Sequence, residues 1–279
     1  MQEEEKMTIA KLAAAAAEIR KLTITAIESA GYGHIGGSMS ICDALAVLYC
    51  DIMKIDPANP DMADRDRLVL SKGHSGPALY ATLAYKNYFP KEELKTLNQN
   101  GTNLPSHCDR LKTKGIDIST GSLGQGLSLA AGVAYGSKLK GYTNTCYCIV
   151  GDGELQEGQN WEAIQFAAHH CLDNLVLLID YNKRQLDGYT EEICAPRSLA
   201  KKLQAFGWEV LEVNGHDVEA IRNALLSIKR VKKPSVLVLD TQKGYGCSFS
   251  EIEGFNHYMV VTPDMAETAR AEIDRRHHQ

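Results

Sequence analysis

Three apolar runs constrain this chain more than any other feature: CYCIV at 146–150, NLVLLIDY at 174–181 and PSVLVLDT at 234–241. Each is dominated by Val, Leu and Ile and lacks the polar alternation of a strand that keeps one face in water. A strand of this kind is buried on both faces, which happens when helices cover a parallel sheet from both sides. The segments between them read as those helices. Residues 159–170 separate the first two runs. Residues 199–206 and 218–229, with a further strand at 208–213, separate the second from the third.

Upstream, apolar residues at helical spacing (Ile9, Leu12, Ala15, Ile19, Leu22) in an alanine-rich stretch predict a helix over 7–30. The small-residue stretch GYGHIGGSMS leads to a second helix over 41–53, closed by Pro57 and Pro60. A short strand at 67–71 runs into SKGHSGPALYATLAY, a loop that opens a helix. Residues 91–98 form a short helix and 99–120 a polar loop. TGSLGQGLSLAAGVAYGSKLK is a glycine loop opening another helix, in which Gly132 and Gly136 serve close helix packing. No linker or repeat divides the 279 residues. The expectation is one α/β domain over 1–279, with a mostly parallel sheet, helices on both faces, and ligands at the carboxyl ends of the strands.

Charge excludes some partners. Lys and Arg number 30 against 35 Asp and Glu, with no basic cluster, so a nucleic-acid backbone is not an expected partner. Small anions remain compatible, because helix N-termini bind them without a basic surface. No apolar run reaches membrane-spanning length. The acidic start (Glu3, Glu4, Glu5) argues against a secretory leader. The 8 cysteines contain no C-x-x-C pair, which suits reduced thiols in a cytoplasmic protein.

The sharpest chemical signal is GDGELQEG at 151–158, directly after the strand CYCIV. Gly151 and Gly153 permit a tight turn and close approach to a ligand. About thirty residues later, after a helix and a strand, stands Asn182. Adjacent parallel strands bring Asp152 and Asn182 to one edge, where a carboxylate, an amide oxygen and a backbone carbonyl would suit Mg²⁺ or Ca²⁺ beside a diphosphate. Two ordinary turns explain the same residues without a ligand. Of the 9 histidines, His34, His74, His107 and His257 each lie in a glycine- or serine-rich loop. Imidazoles there exchange protons near neutral pH and donate to phosphate or sugar hydroxyls; their spacing does not favour a metal site. His169 and His170 end a helix, His216 in NGHD is read as a turn or cap, and His277 and His278 fall in a polar tail expected to lack order.

Taken together, GDGELQEGQNWEA, DYNKRQLDG, GHIGGS, SKGHSGPALYA, TGSLGQG and KGYG…NH resemble transketolase, over residues 10–262. The resemblance is to the N-terminal, diphosphate-binding domain only, so it implies the thiamine diphosphate-binding fold and the N-terminal subunit of a split transketolase. It further implies transfer of a two-carbon ketol unit from a ketose phosphate to an aldose phosphate. Thiamine diphosphate with Mg²⁺ (or Ca²⁺) would be the cofactor. The partner would be a C-terminal subunit carrying the pyrimidine-binding domain and its glutamate, with pairing to a heterotetramer. By the same resemblance, Asp152, Asn182 and the Arg184 carbonyl bind the metal, and His74, Gly153, Glu154 and Asn182 lie at the diphosphate. Gly121, Ser122 and Leu123 line the cofactor. His34 and His257 face cofactor and substrate, and His107 contacts substrate, although its flanks (LPSHCDR) depart from the family form. Glu157 matches an acid of a proton-sharing cluster at the subunit interface. Glu162 is a second candidate for that cluster, with an exposed helix position as its other reading. The chain alone is expected not to turn over. Other readings are the alpha-type part of a 2-oxoacid dehydrogenase, a deoxyxylulose phosphate synthase fragment, a transketolase for modified sugars, and a non-catalytic cofactor-binding module. A generic nucleotide-binding protein has the least support, because no P-loop or dinucleotide fingerprint is present.

Overall fold

The computed structural model describes residues 7–252 and 256–277; Glu3, Glu4, Glu5 and His278 lie outside them. The chain opens with α1 (Ile9–Ala30), started by the Thr8 hydroxyl, which accepts from Lys11 N, and stopped at left-handed Gly31. The next elements are β1 (Tyr32–Gly33), α2 (Ile35–Met39) and α3 (Cys42–Val47), which runs into a π-helical turn at Leu48–Ile52. The expected helix over 41–53 is therefore real but changes its winding halfway. Then come β2 (Arg67–Leu70), α4 (Gly76–Tyr85), a 3₁₀ segment at Lys91–Thr96 and α5 (Gly126–Leu139). β3 (Cys146–Gly151), α6 (Gly158–His169) and β4 (Leu175–Tyr181) follow. The last part holds α7 (Thr190–Cys194), α8 (Leu199–Ala205), β5 (Glu209–Asn214), α9 (Val218–Ile228) and β6 (Ser235–Asp240). It closes with α10 (Ser248–Glu251), β7 (Met259–Val260) and α11 (Pro263–His277).

Among the described residues, β2, β3, β4, β6 and β5 form a five-stranded parallel sheet in that spatial order. The continuous apolar runs feed two separate cores, one on each face. In β4, Val176 and Leu178 enter the core built on α1, α3, α4 and α9. Leu175, Leu177 and Ile179 enter the other, built on α5, α6 and α8. β3 and β6 divide in the same way, as the two-residue period of a strand requires. The α/β expectation with helices on both faces holds.

Two features depart from the sequence reading. The polar end of the chain is the helix α11, which buries Ala266, Ala269 and Ile273 and packs on α1; His277 is its last residue. Its apolar stripe is so narrow and so alanine-based that it reads as polar. On α5, a Cβ at Gly132 or Gly136 would meet nothing within 4 Å, so within the described residues these glycines do not serve close packing. Among the described residues, no helix is long and apolar enough to cross a membrane.

Candidate functional site

Four neighbouring strands deliver polar residues to one edge of the sheet. Lys72 stands two residues past β2, Asp152 one past β3, Asn182 one past β4, and Thr241 one past β6. All four are buried. They meet around Asp180, the penultimate residue of β4, which is fully buried. Its carboxylate accepts from Lys72 Nζ (2.5 Å), Thr241 Oγ1 (2.5 Å), Ser40 Oγ (2.7 Å) and Asn182 Nδ2 (2.7 Å). Burial by itself would raise this carboxyl, but the adjacent Lys72 ammonium and these donors outweigh it and hold it below the usual range.

Asp152 has the opposite balance. Its Oδ1 accepts from Gly153 N (2.9 Å) and its Oδ2 from Lys183 N (2.7 Å). Burial, then the nearby Asp180 charge, push its carboxyl up to about 7. A buried carboxylate with uncompensated charge, next to the Asn182 amide, is the donor chemistry a divalent cation satisfies. Asn182 Oδ1 also accepts from Arg184 N (3.1 Å). The Arg184 side chain turns away to Tyr189 Oη (2.6 Å) and the Ile252 carbonyl (3.2 Å). Among the described residues, no three His, Cys, Asp or Glu side chains are grouped to hold a metal alone, so an ion here would need backbone and ligand oxygens as well.

The cleft above this edge encloses about 270 Å³ and is lined by, among others, Lys72, His74, Leu123, Asp152, Asn182 and Lys243. Gly37 forms part of its wall; a Cβ there would lie 3.2 Å from His74 Nε2 and 3.4 Å from Lys72 Nζ. Gly153 lies under Gln185, where a Cβ would come within 2.8 Å of the Gln185 Cβ. Glu154 also lines the cleft, but its carboxylate is committed inward. It accepts from the Ser71 hydroxyl, from Gly124 N (2.9 Å) and from Gly151 N (3.0 Å). Its side chain therefore fastens the loop at 121–126 to the strand ends. Gly124 makes this possible at φ +84°, where a Cβ would lie 2.6 Å from the Glu157 Cβ.

The four loop histidines, far apart in sequence, converge. The His34 ring centroid lies 5.4 Å from that of His74, 5.6 Å from His107 and 5.2 Å from His257, and His74 lies 4.7 Å from His257. Burial, then the cost of a second positive charge near His107 and Lys243, lower His34 to about 4. Burial, then Lys243, lower His257 to about 3. Burial also lowers His74 and His107. All four are thus held neutral, able both to donate and to accept. Gly121 sits against His107, its Cβ position 3.6 Å from the ring, and Gly121, Ser122 and Leu123 form an exposed rim.

Glu157 lines the cleft and Glu162 is exposed on α6; nothing among the described residues gathers them into an acid cluster. The sequence reading missed Lys72, Asp180 and Lys243. Burial, then Lys72, lower the Lys243 ammonium to about 8, and its Nζ lies 3.3 Å from His257 Nδ1. A signal for two of them was present: an Asp closing the apolar run NLVLLIDY, and a Lys beside the histidine of SKGHSG, are charges placed where burial demands a partner.

Residues 11–271 match the family model described as transketolase, thiamine diphosphate binding domain. The 6-deoxy-6-sulfo-D-fructose transketolase subunit SqwG of a Clostridium species is 54% identical over 258 residues, 92% of this chain and 94% of that one. An apulose-4-phosphate transketolase subunit of Phocaeicola vulgatus is 40% identical over 258 residues, 92% of each chain. The crystal structure of transketolase from Campylobacter jejuni superposes with a TM-score of 0.89 at 32% identity, covering 96% of this chain but 43% of that one. The chain thus spans less than half of that solved transketolase and nearly all of the two shorter relatives.

Proposed function

Since this chain belongs to the transketolase family, as its thiamine diphosphate-binding domain, we propose that it is the N-terminal subunit of a split transketolase whose active site closes against a second polypeptide. The observation that carries this is the convergence of four neutral histidines beside a buried Asp152–Asn182 edge. The net reaction breaks the C2–C3 bond of a ketose, releases the shortened aldose and joins the two-carbon unit to an acceptor aldehyde. Thiamine diphosphate, when bound, supplies the carbon nucleophile. Asp152, the Asn182 amide oxygen and the Arg184 carbonyl would hold Mg²⁺ (or Ca²⁺). Lys72, His74, Lys243 and the Gly153 backbone would meet the diphosphate, whose charge would return Lys243 to full protonation. His34, His107 and His257 would pass protons to and from substrate hydroxyls, a task suited to imidazoles held neutral.

For the donor, the relative at 54% identity is named for 6-deoxy-6-sulfo-D-fructose. We take a ketose with a terminal sulfonate as the first substrate to test; its use would put the chain in a modified-sugar route rather than the pentose phosphate route. The partner would supply the pyrimidine-binding domain and its glutamate, and two such pairs would form a heterotetramer.

The test is purification of this chain with its companion polypeptide, followed by ketol-transfer assays with thiamine diphosphate and Mg²⁺. Sulfonated and phosphorylated ketoses serve as parallel donors. Activity is expected only from the pair. Transfer by the single chain would overturn the split-site reading, and a preference for the phosphorylated donor would overturn the substrate assignment.

A further inference from the structure

Behind the cleft, a second buried polar cluster contains none of the residues assigned to cofactor or substrate. Arg20 of α1 donates to both carboxylate oxygens of Asp43 of α3, through Nη1 at 3.0 Å and through Nη2. Both residues are buried. His216, between β5 and α9, places Nδ1 3.0 Å from Asp43 Oδ2. On its other side, Gln242 N donates to His216 Nε2 at 2.8 Å. A backbone amide can only donate, so Nε2 is the bare nitrogen and Nδ1 carries the proton given to Asp43. The tautomer is thereby fixed. The ring also stacks on Tyr245, with centroids 3.7 Å apart and planes 11° from parallel. The Arg20 and Arg276 guanidinium carbons lie 4.9 and 5.2 Å from the same Tyr245 centroid.

The segment held at both points, 241–247, is also the segment that reaches the cleft. Thr241 Oγ1 donates to Asp180, Gly244 N donates to Gly36 O (2.9 Å), and Lys243 Nζ lies 3.3 Å from His257 Nδ1. Lys243 is one residue from the amide that His216 accepts and two from the ring on which it stacks.

We propose that His216 is a positioning residue: braced by Asp43 and Arg20, it clamps the 241–247 loop from behind and so sets the place of Lys243 in the cleft. Its affinity readout rests on the functional reading above; its readout in the loop does not. The variants are His216→Ala, which removes acceptor and stack, and His216→Gln, which keeps an acceptor at a similar reach. The first measurement is amide hydrogen exchange of the cofactor-free chain. His216→Ala should speed exchange in 241–247 about tenfold, the loss of one hydrogen bond, and leave β3 and β4 amides unchanged. The second is thiamine diphosphate binding with Mg²⁺ by the paired complex. The dissociation constant should rise about tenfold while turnover at saturating cofactor stays near wild type, with His216→Gln recovering much of the loss. The double variant His216→Ala/Lys243→Ala should bind no more weakly than Lys243→Ala, because one acts through the other. Exchange that rises equally throughout the sheet would overturn the proposal by making His216 a general stabiliser. Faster loop exchange with unchanged cofactor affinity would also overturn it. If the wild-type complex binds no thiamine diphosphate, the functional reading falls, and loop exchange still decides the clamp.

Discussion

Replacing Asp180 by Asn should be one of the most damaging isosteric changes in this chain. The side chain is fully buried and so is its partner Lys72. The substitution keeps the shape but removes the charge facing an ammonium whose other acceptor is the Gly37 carbonyl at 2.7 Å. Breaking a buried ion pair from one side costs about 3–5 kcal/mol, because the remaining charge stays out of water. Against a typical domain stability of about 5–15 kcal/mol this is a large fraction. At about 2–4 °C per kcal/mol for a chain approaching this size, the melting temperature should fall on the order of 10 °C. Circular dichroism melts and urea titrations of the purified chain measure it. Adding Lys72→Met to Asp180→Asn removes the stranded ammonium. The double variant should therefore be less destabilised than the sum of the two singles by roughly 2 kcal/mol or more. A loss below about 1 kcal/mol for Asp180→Asn, the size of an exposed pair, would refute the reasoning, as would strict additivity.

Two further outcomes follow from the geometry. A Cβ at Gly126 would lie 2.4 Å from Ser71 Oγ and 2.6 Å from Ser71 Cα, whereas one at Gly132 meets open space. In urea titrations, Gly126→Ala should therefore lose roughly 1–3 kcal/mol and Gly132→Ala should gain about 0.5–1 kcal/mol; equal effects would show that the loop has room to shift. The second outcome concerns acid. His34 has an ordinary value of 6.5 and is lowered to about 4 in the fold, first by burial. Between those values the unfolded chain binds the proton and the folded chain does not, so stability falls as pH falls from 6.5 towards 4. His34→Gln should flatten the slope of unfolding free energy against pH in that window; an unchanged slope would mean that His34 titrates normally.

Local patterns in the chain settled the fold class and named most of the residues at the cleft. Continuous runs such as LVLLI have one physical solution, burial on both faces of a parallel sheet. Glycines beside a histidine or an aspartate mark places where backbone must pass close to something. The same local signals pointed to Asp152, Asn182 and the four histidines, each in its own loop. What they lacked was distance. That His34 lies within 5.6 Å of three other histidine rings depends on contacts between distant segments. The β1–β7 pairing brings His34 to His257, while His74 follows β2 of the main sheet and His107 comes from the loop before α5. The order of that sheet sets β2, β3, β4 and β6 side by side. The roles of Lys72, Asp180, Lys243 and Glu154 were decided only there. A buried charge is stable because of the partner across from it, and Asp180 lies 108 residues from Lys72. The helix α11 was likewise invisible until α1 supplied the surface that covers its three buried apolar residues, Ala266, Ala269 and Ile273. Local periodicity fixes which face of an element seeks burial; only packing decides which charges end up inside it together, because that depends on the path of the whole chain.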